Sequence, residues 1–492
     1  MNPEIYRQLN KQNDFTLMKP LAEITSEEKK EKMEEEGYFA GYTVDSWKKE
    51  FPAIDPKYIL VPKSALYPAS LVYYDEKHYI CFDTQIYNGQ VLDIGGPNSN
   101  PARHQDRLLK MVEEQMEHLR DKDYLRLLRP MTSEESGGTA MHLLRLMLEN
   151  EKPCPELYDA FLNVYTLCNT GAHVLGPDAI KRLIACKSKE QRERTAAALS
   201  SFPGDVLEVY RGEGSESTFF ETACSWTMDI RKAYFFASWR GSDGASVLTG
   251  KVGKNSIIEY VDDRSESEVI VLPGAVTDVS RSLCYDMEEF REYINPARFD
   301  ASHKLPLNSN PDRIMKGLRE IYSDIDVEDH TMEHSFRVTV MASFLYRIHV
   351  LSPLTSGPIY RYDAATKVYR KLIEAAEYHD AGRTDNEINA THGAAGYQKY
   401  LEKHRSDDIV EFLTTYHCRE DEVAREYWKR NFAGENAEYV WEAFLAIRDA
   451  DALDRVRFGS LSRDYVDVRR LRLEEAKKLM PVAHALAEMR FG

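Results

Sequence analysis

Short runs of alternating apolar and polar residues fill the middle of the chain, whereas its last third repeats apolar positions every three to four residues. Leu207, Val209 and Arg211 alternate with Val206, Glu208 and Tyr210, which predicts a strand ending in L-E-V-Y-R-G at 207–212 and delivering Arg211 at its end. In S-W-T-M-D-I-R-K-A-Y-F-F-A at 225–237, Ser225 and Thr227 share one strand face. Ile230, Ala233, Tyr234 and Ala237 then fall at helical spacing, with Thr227 or Asp229 as N-cap. In R-S-E-S-E-V-I-V-L-P-G at 264–274 the alternation points Glu266, Glu268 and Ile270 one way before Pro273-Gly274 ends the strand. Two further strands are expected at 245–252 and 255–260.

Upstream, the runs Y-I-L-V, S-L-V-Y-Y and Y-I-C-F between Tyr58 and Asp93 read as short strands, and 102–129, 139–151, 155–168 and 177–200 read as helices. A further helix is expected at 286–293. The Pro/Asn-rich stretch 305–312 marks a domain boundary, and everything beyond it reads as helix. The pattern thus predicts a multidomain α+β protein: an N-terminal α+β domain of unassigned role at 1–130, a mixed α/β-strand domain at 131–300 and an all-α bundle at 305–492.

The helical faces in that last part can be checked against its histidines and aspartates. His330 and His334 are one turn apart and point the same way. Val368, Leu372, Ala376 and His379 form one stripe, aiming His379 inward with Asp380 beside it. Val440, Phe444, Ile447, Asp451 and Asp454 form another, which puts Asp451 and Asp454, rather than Asp449, on an apolar face. A carboxylate there needs a metal or a histidine as partner. His104, His173 and His349 read as ordinary core or surface histidines.

With 492 residues, 43% hydrophobic and 29% charged, the chain is long enough for several cores. A net charge of −17 argues against broad binding to nucleic acid or anionic lipid and favours small ligands or basic protein surfaces. Cys81, Cys154, Cys168, Cys186, Cys224, Cys284 and Cys418 lack C-x-x-C spacing, which reads as reduced thiols and hence a cytoplasmic setting, in the producing cell or in a host. No secretory signal or bilayer-length apolar run is visible, so no membrane association is expected. The K-K-E-K-M-E-E-E run at 29–36 reads as a solvated helix face.

Arg, then Ser-x-Thr, then Glu-x-Glu, each on its own strand, resembles the ADP-ribosyltransferases of the Arg-Ser-Glu class, with Trp226 departing from their commoner Ser-Thr-Ser form. The resemblance implies NAD as substrate. Arg211 would hold the NAD phosphates and nicotinamide ribose, and Ser225 and Thr227 would support the cleft. Glu268 would bond the ribose and stabilise the oxocarbenium ion, with Glu266 orienting or activating an acceptor, a protein being favoured.

D-H-T-M-E-H-S-F-R-V at 329–338, E-Y-H-D-A-G-R at 377–383, T-H-G-A-A-G-Y at 391–397, Y-H-C at 416–418 and R-D-A-D-A-L-D-R-V-R at 448–457 resemble the HD superfamily of phosphohydrolases. By that likeness His334, His379, Asp380 and Asp451 would bind a divalent ion (Mn, Fe, Co, Ni or Zn), and His392 and His417 a second, for attack on a phosphodiester or nucleotide. His330, Arg383 and Asp454 are further candidates. A narrower likeness is to SidE-type effectors, which couple both activities and are similar in His330-x-x-x-His334 and Asp449-x-Asp451. Here the domain order is reversed, and Arg448 stands where that family has a histidine. The expectation is a bifunctional enzyme. The alternatives are a transferase gated by a nucleotide-sensing bundle, coupled phosphoribosyl transfer to protein, and a purely binding role toward NAD or ADP-ribose.

Overall fold

The computed structural model describes residues 18–20, 55–62, 70–87, 90–92, 101–129, 137–167, 172–215, 217–239, 244–262, 265–294, 310–325, 327, 329–386, 390–459, 462 and 464–489. The charge run at 29–36 and most of the 305–312 boundary lie outside these residues. The chain is mixed α+β, with two antiparallel sheets among many helices.

The first sheet is a meander of β1 (Met18–Pro20), β2 (Ile59–Pro62), β3 (Ser70–Asp75), β4 (Ile80–Tyr87) and β5 (Gln90–Leu92), in that spatial order. Asp75 makes the β3–β4 corner by accepting the backbone N–H groups of Lys77 and His78. Helices α1 (Pro101–Arg120), α2 (Tyr124–Leu128), α3 (Gly137–Asn150), α4 (Pro155–Leu167), α5 (Gly176–Cys186) and α6 (Lys189–Ser200) follow. The single helix expected over 102–129 breaks at Lys122, whose φ is 58°. The one expected over 177–200 breaks at Lys187-Ser188. There Lys187 turns inward to Glu259, and Ser188 and Gln191 form a capping box that starts α6. Tyr74, Ile80, Leu127, Leu143, Phe161 and Ile180 share a core with Cys224, Ile258 and Ile270 of the second sheet, so residues on both sides of position 130 pack together.

That second sheet contains β6 (Val206–Glu213), β7 (Ser225–Thr227), β8 (Ser246–Gly253), β9 (Ile257–Val261), β10 (Glu268–Val271) and β11 (Thr277–Leu283), in the order β11-β8-β6-β7-β10-β9. The three strands carrying the Arg, Ser-x-Thr and Glu elements are therefore neighbours. α7 (Ile230–Trp239) lies against β6 so closely that a Cβ on Gly212 would fall 1.9 Å from the Ala233 carbonyl oxygen. This is the packing reason for the glycine after Arg211.

α8 (Met287–Ile294) leads to a bundle of α9 (Pro311–Ile321), α10 (Met332–Tyr346), α11 (Ile359–Tyr378), α12 (His392–Lys403), α13 (Asp408–Tyr416), α14 (Asp421–Asn431), α15 (Glu435–Leu453), α16 (Glu474–Lys478) and α17 (Met480–Glu488). Ala233, Tyr234 and Ala237 of α7 belong to the same apolar core as Met341, Phe344, Leu372, Phe444 and Val482. Phe235 adds edge contacts to Tyr465 and His484. The bundle thus packs directly on the helix that follows the Ser-Trp-Thr strand. Among the described residues, no helix is long and apolar enough to cross a membrane.

Candidate functional sites

The first site is made by strand register. Thr227 pairs with Tyr210 on one side and with Glu268 on the other, and Ser225 pairs with Ile270. Alternation then separates the residues of Ser-Trp-Thr. Trp226 fills the core with Val209 and Val269, while the Ser225 hydroxyl donates to Glu268 Oε1. Tyr165 of α4 donates to the same oxygen at 2.5 Å, so Glu268, 6% exposed, is clasped from two directions. Burial, together with the Glu268 charge, holds the Tyr165 hydroxyl well above its ordinary pKa, and it stays a donor.

Glu266 does not share the strand with Glu268, a correction to the alternating pattern. Ser265 and Ser267 take φ of 53° and 45°, the strand begins only at Glu268, and Thr227 Oγ1 donates to the Glu266 carbonyl at 2.6 Å. Two residues in the left-handed region turn this segment into a loop that polar spacing alone could not reveal. Thr227 Oγ1 also accepts from the Asp229 N–H at 3.0 Å, and Asp229 accepts from the Arg231 N–H at 3.0 Å to start α7.

Arg211 reaches out of β6 and spreads its fork over three acceptors: Glu213 at 3.1 Å, the Ser225 carbonyl at 2.9 Å and the Thr218 carbonyl at 3.0 Å. It thereby ties the loop after β6 to β7, and two of its five N–H donors remain for a ligand. Glu213 in turn accepts from Arg281 at 2.7 Å. His173 lies 3.4 Å from the Thr218 hydroxyl, its pKa lowered by burial and by Arg211. Sequence reasoning missed Tyr165, His173 and Glu213. Glu213 was signalled by sharing Arg211's strand face. Tyr165 was signalled only by its helical stripe with Tyr158 and Phe161.

The second site lies inside the bundle. The end of α11 carries His379 and Asp380, α10 carries His334, α12 opens with His392, α13 ends before His417, and α15 supplies Asp451. Close approach needs the glycine of T-H-G-A-A-G: a Cβ on Gly396 would sit 2.3 Å from the Tyr378 carbonyl oxygen. His379 Nε2 faces His334 Nε2 at 3.2 Å, and His392 Nε2 faces His417 Nε2 at 3.1 Å. Asp380 stands between the pairs. Its Oδ2 lies 3.3 Å from His334 and 3.7 Å from His379, and its Oδ1 lies 3.2 Å from His392 and 3.5 Å from His417. Asp451 Oδ1 is 3.5 Å from His334 Nε2, and its side chain is 36% exposed, whereas His334 and His379 are themselves buried.

The far nitrogens decide what the near ones can do. His379 Nδ1 bonds the Ala376 carbonyl at 2.8 Å, His417 Nδ1 the Thr414 carbonyl at 2.7 Å and His334 Nδ1 the Asp454 carboxylate at 2.7 Å. Those acceptors hold the proton on Nδ1, so Nε2 presents a lone pair. In the His334–His379 pair, lone pairs facing each other at 3.2 Å repel unless a cation, a proton or a metal ion, lies between them. Ligands about 2.1 Å from one ion are themselves about 3.0–3.5 Å apart, close to the spacing seen around each pair. The clusters around Asp380 could therefore hold a metal ion. Burial, reinforced by His417 and His334, pushes His379 down to about 3, and Asp380 only partly opposes this. His334 is instead raised, because bonds to Asp380 and Asp454 outweigh its burial. Burial acts upward on Asp380 and Asp451, but the surrounding histidines bring Asp380 well below the carboxylate range and Asp451 to about 2.

His330 Nδ1 sits 2.6 Å from Asp380 Oδ2, and Arg383 Nε sits 3.1 Å from Asp380 Oδ1. Asp454 is fully buried as expected, but it is held by Arg337, Arg457 and His334, so it supports His334 and does not face the ligand nitrogens. Asp449, which helical spacing kept off the apolar face, is fully buried too. It accepts from the backbone N–H groups of Arg472 and Leu473 at 2.8 Å each and pairs with the Arg472 guanidinium. From Tyr439 to Leu453 no residue of α15 is exposed, so one apolar stripe could not tell its faces apart. Arg448 donates to the His417 carbonyl and pairs with Asp421 at 3.1 Å, a supporting place outside the histidine cluster. No family model, curated protein or solved structure matches this chain. His349, on the bundle surface, pairs with Glu442 and Glu475.

Proposed function

We propose that the chain is a bifunctional enzyme: the sheet site transfers ADP-ribose from NAD to an acceptor, a protein being favoured, and the bundle site hydrolyses a phosphodiester or nucleotide. The transferase half is supported by the meeting of Arg211, Ser225 and Glu268 on three hydrogen-bonded strands, with Glu268 buried and oriented. In that reaction the bond from ribose C1′ to nicotinamide breaks and nicotinamide leaves with the electron pair. Glu268 opposes the positive charge left on the ribose, and the acceptor's nucleophilic atom adds to C1′. Glu266, on its loop, takes the acceptor's proton. Arg211 directs its two remaining donors to NAD oxygens.

The hydrolase half is supported by the two imidazole pairs around Asp380. His334, His379, Asp380 and Asp451 would hold one divalent ion, and His392, His417 and Asp380 another. Such ions supply Lewis acidity toward phosphoryl oxygens and lower the pKa of water. Arg383, beside Asp380 and 12% exposed at its side chain, offers a cation to the substrate phosphate, and His330 holds Asp380 in place.

The shared core of α7 and the bundle favours a coupled reading, in which the bundle cleaves the pyrophosphate of the transferase's own product. The test is mass spectrometry of cell lysate incubated with full-length protein and labelled NAD. Wild type should leave acceptor carrying phosphoribose or no adduct, and a His379→Ala, Asp380→Ala variant should accumulate intact ADP-ribosyl acceptor. Equal adduct masses would leave two separate activities, and no adduct from either protein would remove the transferase assignment.

A further inference from the structure

We propose that Cys418 is a ligand of the second metal position, completing a set with His392, His417 and Asp380 Oδ1, so that the two positions differ in chemistry and in role. The inference rests on the metal reading of the bundle site. Cys418 Sγ and the ligating nitrogens of His392 and His417 lie within 4.8 Å of one another. Y-H-C places the thiol immediately after His417, where α13 has ended. The Gly393 backbone N–H points at the sulfur, and a Cβ on Gly393 would approach Sγ to 3.2 Å. An amide donor aimed at sulfur is the kind of support a metal-bound thiolate requires.

Charge argues the same way. Arg383 brings its guanidinium to 3.1 Å from Asp380 Oδ1 and to 3.5 Å from His392 Nε2, on the side where the second ion belongs. Two neutral imidazoles and one shared carboxylate would leave a divalent ion beside that cation poorly compensated. A thiolate supplies the missing negative charge. On binding, the S–H bond breaks, its proton goes to bulk water, and the sulfur donates an electron pair to the ion, with no change of oxidation state. The present S–H contact to the Thr415 carbonyl, 3.7 Å, is given up in the exchange.

Two consequences follow from the donor sets. Two nitrogens, one oxygen and one sulfur make four protein ligands, the number that closes a zinc site. The first position has nitrogen and oxygen donors only, and Asp451 is its one part-exposed residue, the side from which an ion or substrate would enter. Sulfur also selects softer ions, so zinc or cobalt should hold the second position against manganese, while the first accepts harder ions. The second ion would then be the tightly kept, organising one, and the first the exchangeable one that meets substrate.

The experiment uses full-length protein stripped of metal and reloaded with cobalt(II), read by electronic absorption, together with zinc-edge X-ray absorption of zinc-loaded protein. Wild type should show a sulfur-to-cobalt charge-transfer band in the near ultraviolet and a Zn–S distance of about 2.3 Å. Cys418→Ser should lose the band, keep the weaker visible bands of the first position, and retain one ion where wild type retains two after chelator washing. Because the wild-type spectra decide the matter, a misfolded variant would not obscure it. Two ions bound by wild type without sulfur would overturn the role of Cys418 alone. Failure of wild type to hold cobalt or zinc would instead overturn the metal reading itself.

Discussion

In the sheet, Arg211 and Glu268 are anchored by neighbouring protein groups, whereas in the bundle His334, His379, His392 and His417 turn ligand atoms toward one another. The first arrangement is held by the protein's own groups as it stands, and on the proposed reading it would meet a ligand whose charge develops during reaction. The second sets the His334 and His379 lone pairs against each other, a repulsion that a proton or a metal ion between the rings relieves. The difference teaches where each proposed activity would keep its preorganisation: in strand register for one, and in the ligand field of an ion for the other. It also predicts opposite responses to chelators, because removing an ion should disturb the bundle and leave Glu268 clasped by Ser225 and Tyr165.

The largest expected effect separates the two sites completely. Glu268→Gln keeps the shape of the side chain and removes the charge that, on the proposed reading, faces the ribose, which should cost on the order of 3 kcal/mol or more in transition-state stabilisation, about a hundredfold or greater in NAD cleavage. Phosphodiester hydrolysis and metal content should stay at wild-type levels. The His379→Ala, Asp380→Ala pair should show the mirror result: metal absent by elemental analysis, hydrolysis lost, NAD cleavage retained. If either variant lost both activities while still folded by circular dichroism, the two sites would not be chemically separate.

A second, smaller effect tests how far support for each site extends. Asp454→Asn leaves His334 in place but weakens the acceptor that fixes its Nδ1 proton and therefore its Nε2 lone pair. Metal affinity should fall about 10–100-fold, as for other outer partners of ligating histidines, and NAD cleavage should not change. Titration of stripped protein with zinc measures this directly. Unaltered affinity would mean that Asp454 serves only its arginine partners, Arg337 and Arg457.

How much of this was legible in the sequence differs between the two regions for physical reasons. Strand alternation located Arg211, Ser225 and Glu268, because period two fixes the face wherever the strand is regular, and it failed at Glu266, where two left-handed serines break the strand. Helical stripes located His379 on an apolar face, since α11 buries Val368, Leu372 and Ala376 as one side. They misjudged Asp449, because α15 from Tyr439 to Leu453 has no exposed residue and so little contrast between its faces. Local patterns could mark Tyr165 as buried but could not pair it or Cys418 with a site: one meets Glu268 from a helix more than a hundred residues away in sequence, and the other comes beside Gly393 only when α12 packs against it.

The smallest expected effect concerns charge pairs that lie away from both sites. His349 follows α10 and reaches Glu442 of α15 at 3.0 Å and Glu475 of α16 at 3.4 Å. Bonds to Glu442 and then Glu475 raise its pKa to about 10, with burial opposing. The folded value lies above the unfolded one, about 6.5, so the protonated ring favours the folded state. That contribution is fully present below about pH 6.5 and disappears as pH rises through 10. Because a third of the side chain meets solvent, it should amount to 1 kcal/mol or less, roughly the range of exposed ion pairs. The Tm difference between wild type and His349→Gln should therefore be greatest near pH 6 and shrink toward pH 10.5, with other titrating groups cancelling between the two proteins. A difference that stayed constant across this range would mean that His349 contributes by packing alone.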